Sequence, residues 1–533
     1  MHSSPATGLA ENGEGGQQQA IALLCDAATH GLPPGTLVDR IDTHAARVFM
    51  AGARAWKMKR AVTYPFFDYA TLSLRLNACE AELALNRRTA PDLYLGVGGL
   101  VRGSDGAIRL VEQAPVAPDG GPDPSVLEYL VTMRRFPQAA LLDRMAADGT
   151  LSASIMRDLA ATIAEFHDTA EPRPQAPGAT EMADLARTNI HELRRHGALF
   201  RTDAVDRLDR ATQAALAAGA ELIDRRRDAG YIRHCHGDLH LRNIVMLDGR
   251  PVPFDCVEFG DRIAVTDVLY DLAFLLMDLE HRRLRRLANI LFNGYLDITG
   301  DLAGLGLLPL FMSVRAGIRA HLTASAASGQ ENAARAAALR AEAISYLDLA
   351  NRLLSPAPPA LVAIGGLSGT GKTTLARALA PALGPAPGAV ILRSDLLRKW
   401  LAGVDARTAL PENFYGPDHS ARTYAELAGR AGLVLDGQHS VICDAVYARP
   451  DQRQTVEDVA RATGVAFTGL WLVADQAVAL ARVARRRGDA SDATAAVVRR
   501  QAAYDLGDMR WEVIPASGDA EETTAIARRH IAR

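Results

Sequence analysis

At 533 residues the chain exceeds what one ordinary core supports, and a prior of ~150 residues per domain points to about three structural units. Its 59 basic and 62 acidic residues leave a net charge of -3, which excludes a global field drawing it to nucleic acid or an anionic membrane. Its five cysteines, at 25, 79, 235, 256 and 443, form no C-x-x-C pair; this argues against a disulfide framework or zinc site and for a reducing cytoplasm.

Residues 1–19 are polar, rich in Gly, Gln and Ser, and lack the apolar core of a secretory signal, so a disordered tail is expected. Runs 47–51 and 55–62 flank a turn at Gly52 and predict a hairpin, followed by a helix over about 71–89 and a strand over 126–133. The pattern then turns helical, through 151–167 and 204–227, up to a polar segment at 236–258. The longest apolar stretch, 302–314, contains Pro309 and falls short of the ~20 residues of a membrane span, so it predicts a buried helix. A long helix over 333–354 ends in Ser355-Pro-Ala-Pro-Pro359, which cannot continue it. These three prolines and the alanine among them set a linker at 356–359 between a region 20–355 and a region 360–533. In the latter, strand-like runs at 361–364, 390–392, 440–443 and 469–473 alternate with helical patterns, as in a doubly wound parallel α/β sheet.

Gly366-Leu367-Ser368-Gly369-Thr370-Gly371-Lys372-Thr373 fits G-x-x-x-x-G-K-[ST], with a strand-like run before it and a helical pattern from Thr374 onward. Glycines let the backbone N–H groups turn toward phosphate oxygens, Lys372 reaches the β and γ phosphates, and Thr373 offers its hydroxyl to Mg²⁺. A glycine-rich surface turn would not need four fixed positions in a strand, loop and helix context. Asp395 and Arg398 follow the second strand-like run, at the sheet edge where ligands bind, although Asp-x-x-Arg also makes an ordinary i,i+3 helix salt bridge. Asp444 ends the third run and suits Mg²⁺, directly or through water. Arg482 to Arg487, including Arg486, reads either as a solvated basic helix or as a cover over a triphosphate.

Upstream, His236-Gly237-Asp238 precedes Asn243 by five positions from Asp238, and Asp255 follows after a turn at Asp248-Gly249. A carboxylate to take or orient a hydroxyl proton, an amide oxygen and a second carboxylate to hold Mg²⁺ make a chemically complete set. Strand alternation puts Lys57 and Lys59 on one face and Trp56 and Met58 on the other, so pattern alone does not separate the two lysines. Their partner is Glu80 or Glu82 on the following helix.

These spacings resemble the H-x-D-x-x-x-x-N loop and metal-binding Asp of the protein-kinase-like fold. Gly237 in place of Arg, and Cys256-Val257-Glu258 in place of Phe-Gly, are similar to the aminoglycoside phosphotransferase and choline kinase branch. The resemblance implies a two-lobed α+β domain with Asp238 catalytic and Asn243 and Asp255 on Mg²⁺. Ala55-Trp56-Lys57 resembles the Ala-x-Lys of the kinase third strand, which implies Lys57 on the ATP phosphates, held by Glu82. Asp267 and Asp271 resemble structural residues that bond the catalytic loop. The downstream half resembles P-loop small-molecule and polynucleotide kinases; this implies Asp395 as base, Arg398 as neutraliser of phosphoryl charge, Asp444 as Walker B carboxylate and Arg486 in an arginine-bearing lid. The pair is similar to a bacterial fusion of such domains, which implies an ATP- and Mg²⁺-dependent bifunctional phosphotransferase acting on hydroxyls of small molecules. An ATP-sensing regulatory protein with one silent half is the alternative. A nucleic-acid end kinase in the C-terminal half is another, against which the neutral charge balance counts. The pattern carries no signal of an oligomeric state.

Overall fold

The computed structural model describes residues 14–64, 67–258, 260–485 and 490–531. The chain forms two compact units: Met1–Leu151 with Glu165–Ala176 and Gly230–Asp271, and Ser152–Ala164 with Pro177–Ala229 and Leu272–Arg533.

The first unit is built on a six-stranded antiparallel sheet. Its strands are β1 (Asp39–Asp42), β2 (Ala46–Ala51), β3 (Arg54–Lys59), β4 (Tyr94–Arg102), β5 (Ile108–Val111) and β6 (Val126–Arg134), in the order β1-β2-β3-β6-β4-β5. The β2–β3 hairpin turns at Gly52 as expected, with Val48 opposite Lys57. Alternation along β3 sends Trp56 and Met58 into an apolar cluster with Phe49, Leu100 and Leu130. Lys57 and Lys59 are left on the opposite side, where Glu82 of helix α2 (Leu72–Asn86) meets both.

The expected tail is corrected at its end. Residues 14–17 make a 3₁₀ turn that leads into helix α1 (Gln18–Cys25), and Ala20, Ile21 and Leu24 join the Trp56 cluster. Gln17 is buried; its amide donates to Lys59 O at 2.8 Å and Glu128 Oε2 at 2.7 Å. The physical reason is the bare outer face of the sheet, which an apolar helical stripe covers. Residues 1–13 lie outside the described residues.

In the second unit the helices include α3 (Ala179–Arg195), α4 (Thr202–Asp228), α5 (Arg285–Thr299), α6 (Leu308–Ser328) and α7 (Ala333–Leu353). The helix expected over 302–314 begins only at Leu308, with Pro309 in its first turn, where a missing N–H breaks no helical bond. The same unit contains five parallel strands: β7 (Ala360–Gly366), β8 (Val390–Arg393), β9 (Val441–Asp444), β10 (Ala466–Val473) and β11 (Glu512–Pro515), in the order β8-β9-β7-β10-β11. The fifth strand is short and mostly exposed, and so gave no run of apolar residues to detect. Among the described residues no helix is long and apolar enough to cross a membrane.

Candidate active sites

In the first unit, Lys57 Nζ lies 2.8 Å from Glu82 Oε1 and 2.6 Å from Asp255 Oδ1. Lys59 Nζ takes the other oxygen, Glu82 Oε2, at 2.5 Å and also pairs with Glu258, which accepts a hydrogen bond from Tyr69 OH at 3.0 Å. Glu82 is fully buried while Glu80 is exposed. Burial alone would raise the Glu82 carboxyl, but the two ammonium groups outweigh it and hold the group down at about 2. The Lys57 ammonium is in turn lifted well above its ordinary value: burial lowers it, and Asp255 and Glu82 more than reverse that. Both lysine positions left open by the strand pattern therefore share one carboxylate, and Lys57 is the one in contact with Asp255.

One turn after Glu82, Asn86 accepts a hydrogen bond from Cys256 N at 2.8 Å, and Tyr94 OH accepts one from Asp255 N at 3.2 Å. These bonds hold Asp255 at φ 63°, a left-handed conformation rare outside glycine. Asp271, fully buried, accepts from His236 N at 3.2 Å and Gly237 N at 2.9 Å, so it bonds the loop directly. Gly237 sits at φ 82°, and a Cβ there would come within 3.2 Å of the Val257 side chain. The left-handed backbone and the close Val257 side chain both favour glycine at this position. Asn243 Nδ2 donates to Asp238 Oδ2 at 2.8 Å, His240 Nε2 lies 3.3 Å from the same oxygen, and the Asp238 side chain is 40% exposed. Phe254 N donates to Asn243 O at 2.9 Å, which ties the Asn243 turn to the residue before Asp255. The side-chain oxygens of Asn243 and Asp255 are hard donors of the type Mg²⁺ takes.

In the second unit the phosphate loop joins β7 to helix α8 (Lys372–Leu379). Gly369 has φ 88°, and a Cβ there would lie 2.6 Å from Ala479 O, so only glycine fits. Lys372 Nζ donates to Gly366 O at 2.8 Å and Leu367 O at 3.1 Å, and Ser368 N donates to Gln501 Oε1 at 2.7 Å. The register that sets Ile364 of β7 beside Asp444 of β9 brings loop and carboxylate together: Thr373 Oγ1 donates to Asp444 Oδ2 at 2.5 Å. Burial pushes the Asp444 carboxyl up against the pull of Lys372 and Arg393. This hydroxyl and carboxylate also suit Mg²⁺.

Asp395 and Arg398 lie on helix α9 (Ser394–Leu401), directly after β8. The i,i+3 salt bridge is not formed among the described residues. Arg398 instead donates to Phe414 O at 2.7 Å and stacks 4.9 Å from the Tyr415 ring. Arg482 of helix α10 (Gln476–Arg485) bonds Ala516 O at 2.7 Å and Thr370 O at 3.4 Å, so it is fastened to the phosphate loop. Arg486 lies outside the described residues.

Two family models match the chain: one described as "Phosphotransferase enzyme family" over residues 111–308 and one described as "AAA domain" over residues 361–505. Uncharacterized proteins of Mycobacterium tuberculosis (strain ATCC 25618 / H37Rv) and Mycobacterium bovis (strain ATCC BAA-935 / AF2122/97) are 32% identical over 496 residues, which is 91% of this chain and 93% of each relative. The chain belongs to their family. It is a fusion of a phosphotransferase domain with a C-terminal P-loop kinase-like domain, and these domains support a kinase role. Similar solved structures include a gluconokinase from Sinorhizobium meliloti 1021 (19% identical, 33% of this chain and 93% of that one, TM-score 0.25). A choline/ethanolamine kinase family protein from Mesorhizobium loti is 13% identical over 62% of this chain and 99% of its own, with a TM-score of 0.35.

In this fusion the P-loop cavity has a volume of about 1540 Å³ and is lined by the phosphate loop, Asp395, Arg398, Tyr415, Tyr424 and Asp444, among others. Asp492 ties one wall together: it takes Lys399 Nζ at 3.0 Å, Leu410 N at 3.1 Å and Tyr415 OH at 2.6 Å. Sequence reasoning gave Asn86, Gln501, Glu258 and Asp492 no role of their own, and it set Lys57 against Lys59 as alternatives where both meet Glu82. Glu258 at least stood close to a recognised position, three residues after Asp255.

Proposed function

We propose that the protein is an ATP- and Mg²⁺-dependent phosphotransferase with two active sites, each passing the γ-phosphoryl group to a hydroxyl of a small molecule. The observation that carries this reading is the completeness of both polar sets: Lys57, Glu82 and Asp255 in one, Lys372, Thr373 and Asp444 in the other. The first activity is assigned to residues 20–355 and the second to residues 360–533. In the first, Asp238 orients and accepts the acceptor's proton, Lys57 turns to the α and β phosphates, and Asn243 and Asp255 would hold Mg²⁺. In the second, the loop N–H groups and Lys372 hold the phosphates, Asp395 takes the acceptor's proton, Arg398 meets phosphoryl charge, and Thr373 and Asp444 would hold Mg²⁺. Mg²⁺ supplies neutralisation of charge on the transferred group. Positioning and electrostatics do the rest.

Isothermal titration of the full chain with a non-hydrolysable ATP analogue tests the reading. About two nucleotides should bind, one lost on Asp255→Ala and the other on Lys372→Ala, because each change removes a direct metal or phosphate contact. A stoichiometry of one would make one half silent and favour the ATP-sensing alternative.

A further inference from the structure

Among the described residues strand β8 is the edge of the parallel sheet, paired only with β9. Its outward backbone groups are not left to water. Asn293 Oδ1 of α5 accepts a hydrogen bond from Ile391 N at 2.7 Å, and its Nδ2 donates to Ala389 O at 3.2 Å, so one side-chain amide reproduces the donor and acceptor spacing of a neighbouring strand. Asn289, one turn earlier, donates to the same Ala389 O at 3.1 Å. Both asparagines are buried, and Arg285 of the same helix donates to Gly384 O at 2.9 Å. Two residues after Ile391, β8 ends in Arg393, whose Nε lies 3.8 Å from Asp444 Oδ2; Ser394 and Asp395 come next, lining the P-loop cavity.

Helix α5 falls inside the stretch that matches the phosphotransferase family, upstream of the prolines, whereas β8 falls inside the AAA match. We infer that Asn293, supported by Asn289, is a positioning residue for the P-loop site: by holding Ile391 and Ala389 it fixes where Arg393 and Asp395 emerge from the sheet. The inference rests on the reading of residues 366–373 as an ATP site. It goes beyond that reading in making the second active site depend on a residue of the other half. A buried N–H left without its partner costs free energy, and β8 shifts to recover one. Lys372 and the phosphate loop belong to β7 and α8 at the sheet centre, so nucleotide binding should be spared while the approach of Arg393 and Asp395 is disturbed.

The test uses the full chain with Asp255→Ala, and water as phosphoryl acceptor, so that ATP hydrolysis reports the P-loop site and Lys372→Ala supplies the blank. Asn293→Leu should leave the Kd for ATP within about threefold and lower kcat by about tenfold to a hundredfold, the scale of an ångström-sized misplacement. Asn289→Leu, which spares the Ile391 bond, should do less. If Asn293→Leu does not fold, Asn293→Ser carries the same expectation. An unchanged kcat overturns the inference, and so does a loss of ATP affinity as large as the loss of kcat, which would mean simple structural damage. A Lys372→Ala protein that still binds and turns over ATP would instead bring down the phosphate-loop reading itself, and the inference with it.

Discussion

Glu82 has two carboxylate oxygens and gives one to each lysine, which is why neither Lys57 nor Lys59 stood out in the strand pattern. The choice between them becomes physical only once Asp255 and Glu258 arrive from nearly two hundred residues away. Lys59 is almost wholly enclosed and serves Glu258, whereas Lys57 retains some exposure and faces Asp255. Asp238 is legible in a different way, because two of its side-chain partners, His240 and Asn243, lie within five positions of it. Asp238→Asn keeps the shape but removes the base, and general-base contributions run to ~10²–10⁴-fold. Nucleotide affinity should therefore survive, while transfer to an acceptor found by a hydroxyl-compound screen falls by at least about a hundredfold. Transfer at the wild-type rate would make Asp238 structural.

Among elements, those with a strong internal period or a fixed local motif were readable: the β2–β3 hairpin, α2, α7 and four of the five parallel strands. What escaped depended on a distant surface. The buried face of α1, Ala20, Ile21 and Leu24, spans little more than one turn after a polar stretch, and acquires meaning only over the face made by Phe49, Trp56 and Leu130. Leu24 is fully buried there, so Leu24→Ala should cost about 2–5 kcal/mol, the range for such truncations in a core. Chemical denaturation of a full-length variant that keeps Trp56 as its one tryptophan, followed by fluorescence, reads that loss. A cost below ~0.5 kcal/mol, the surface-substitution range, would mean that α1 does not seal the sheet.

For the molecule as a whole, acidity offers a probe of the ground between α5 and the parallel sheet. His439 is fully buried beside Phe292, at 5.4 Å between ring centroids, and bonds Gly388 O at 2.9 Å. Burial lowers its pKa to about 4 from an unfolded value near 6.5, so the unfolded chain binds the extra proton first. The stability this histidine contributes is present above about pH 6.5 and is lost as the pH falls toward 4. Melting the second unit across that window should show a decline that His439→Gln flattens; parallel curves for the two proteins would assign the acid sensitivity elsewhere.

The asparagine grip on β8 also bears on what happens when the chain is cut at its prolines. A fragment of residues 360–533 would carry a bare strand margin, Ala389 to Arg393, with Val390 and Ile391 beside unsatisfied amides, and such margins recruit one another into continuous sheets. Size-exclusion chromatography with light scattering should find that fragment self-associating with rising concentration, and a charged Ile391→Lys version less so. A strictly monodisperse monomer would show that the margin shields itself. Solubility, by this account, is something the phosphotransferase half lends to its neighbour.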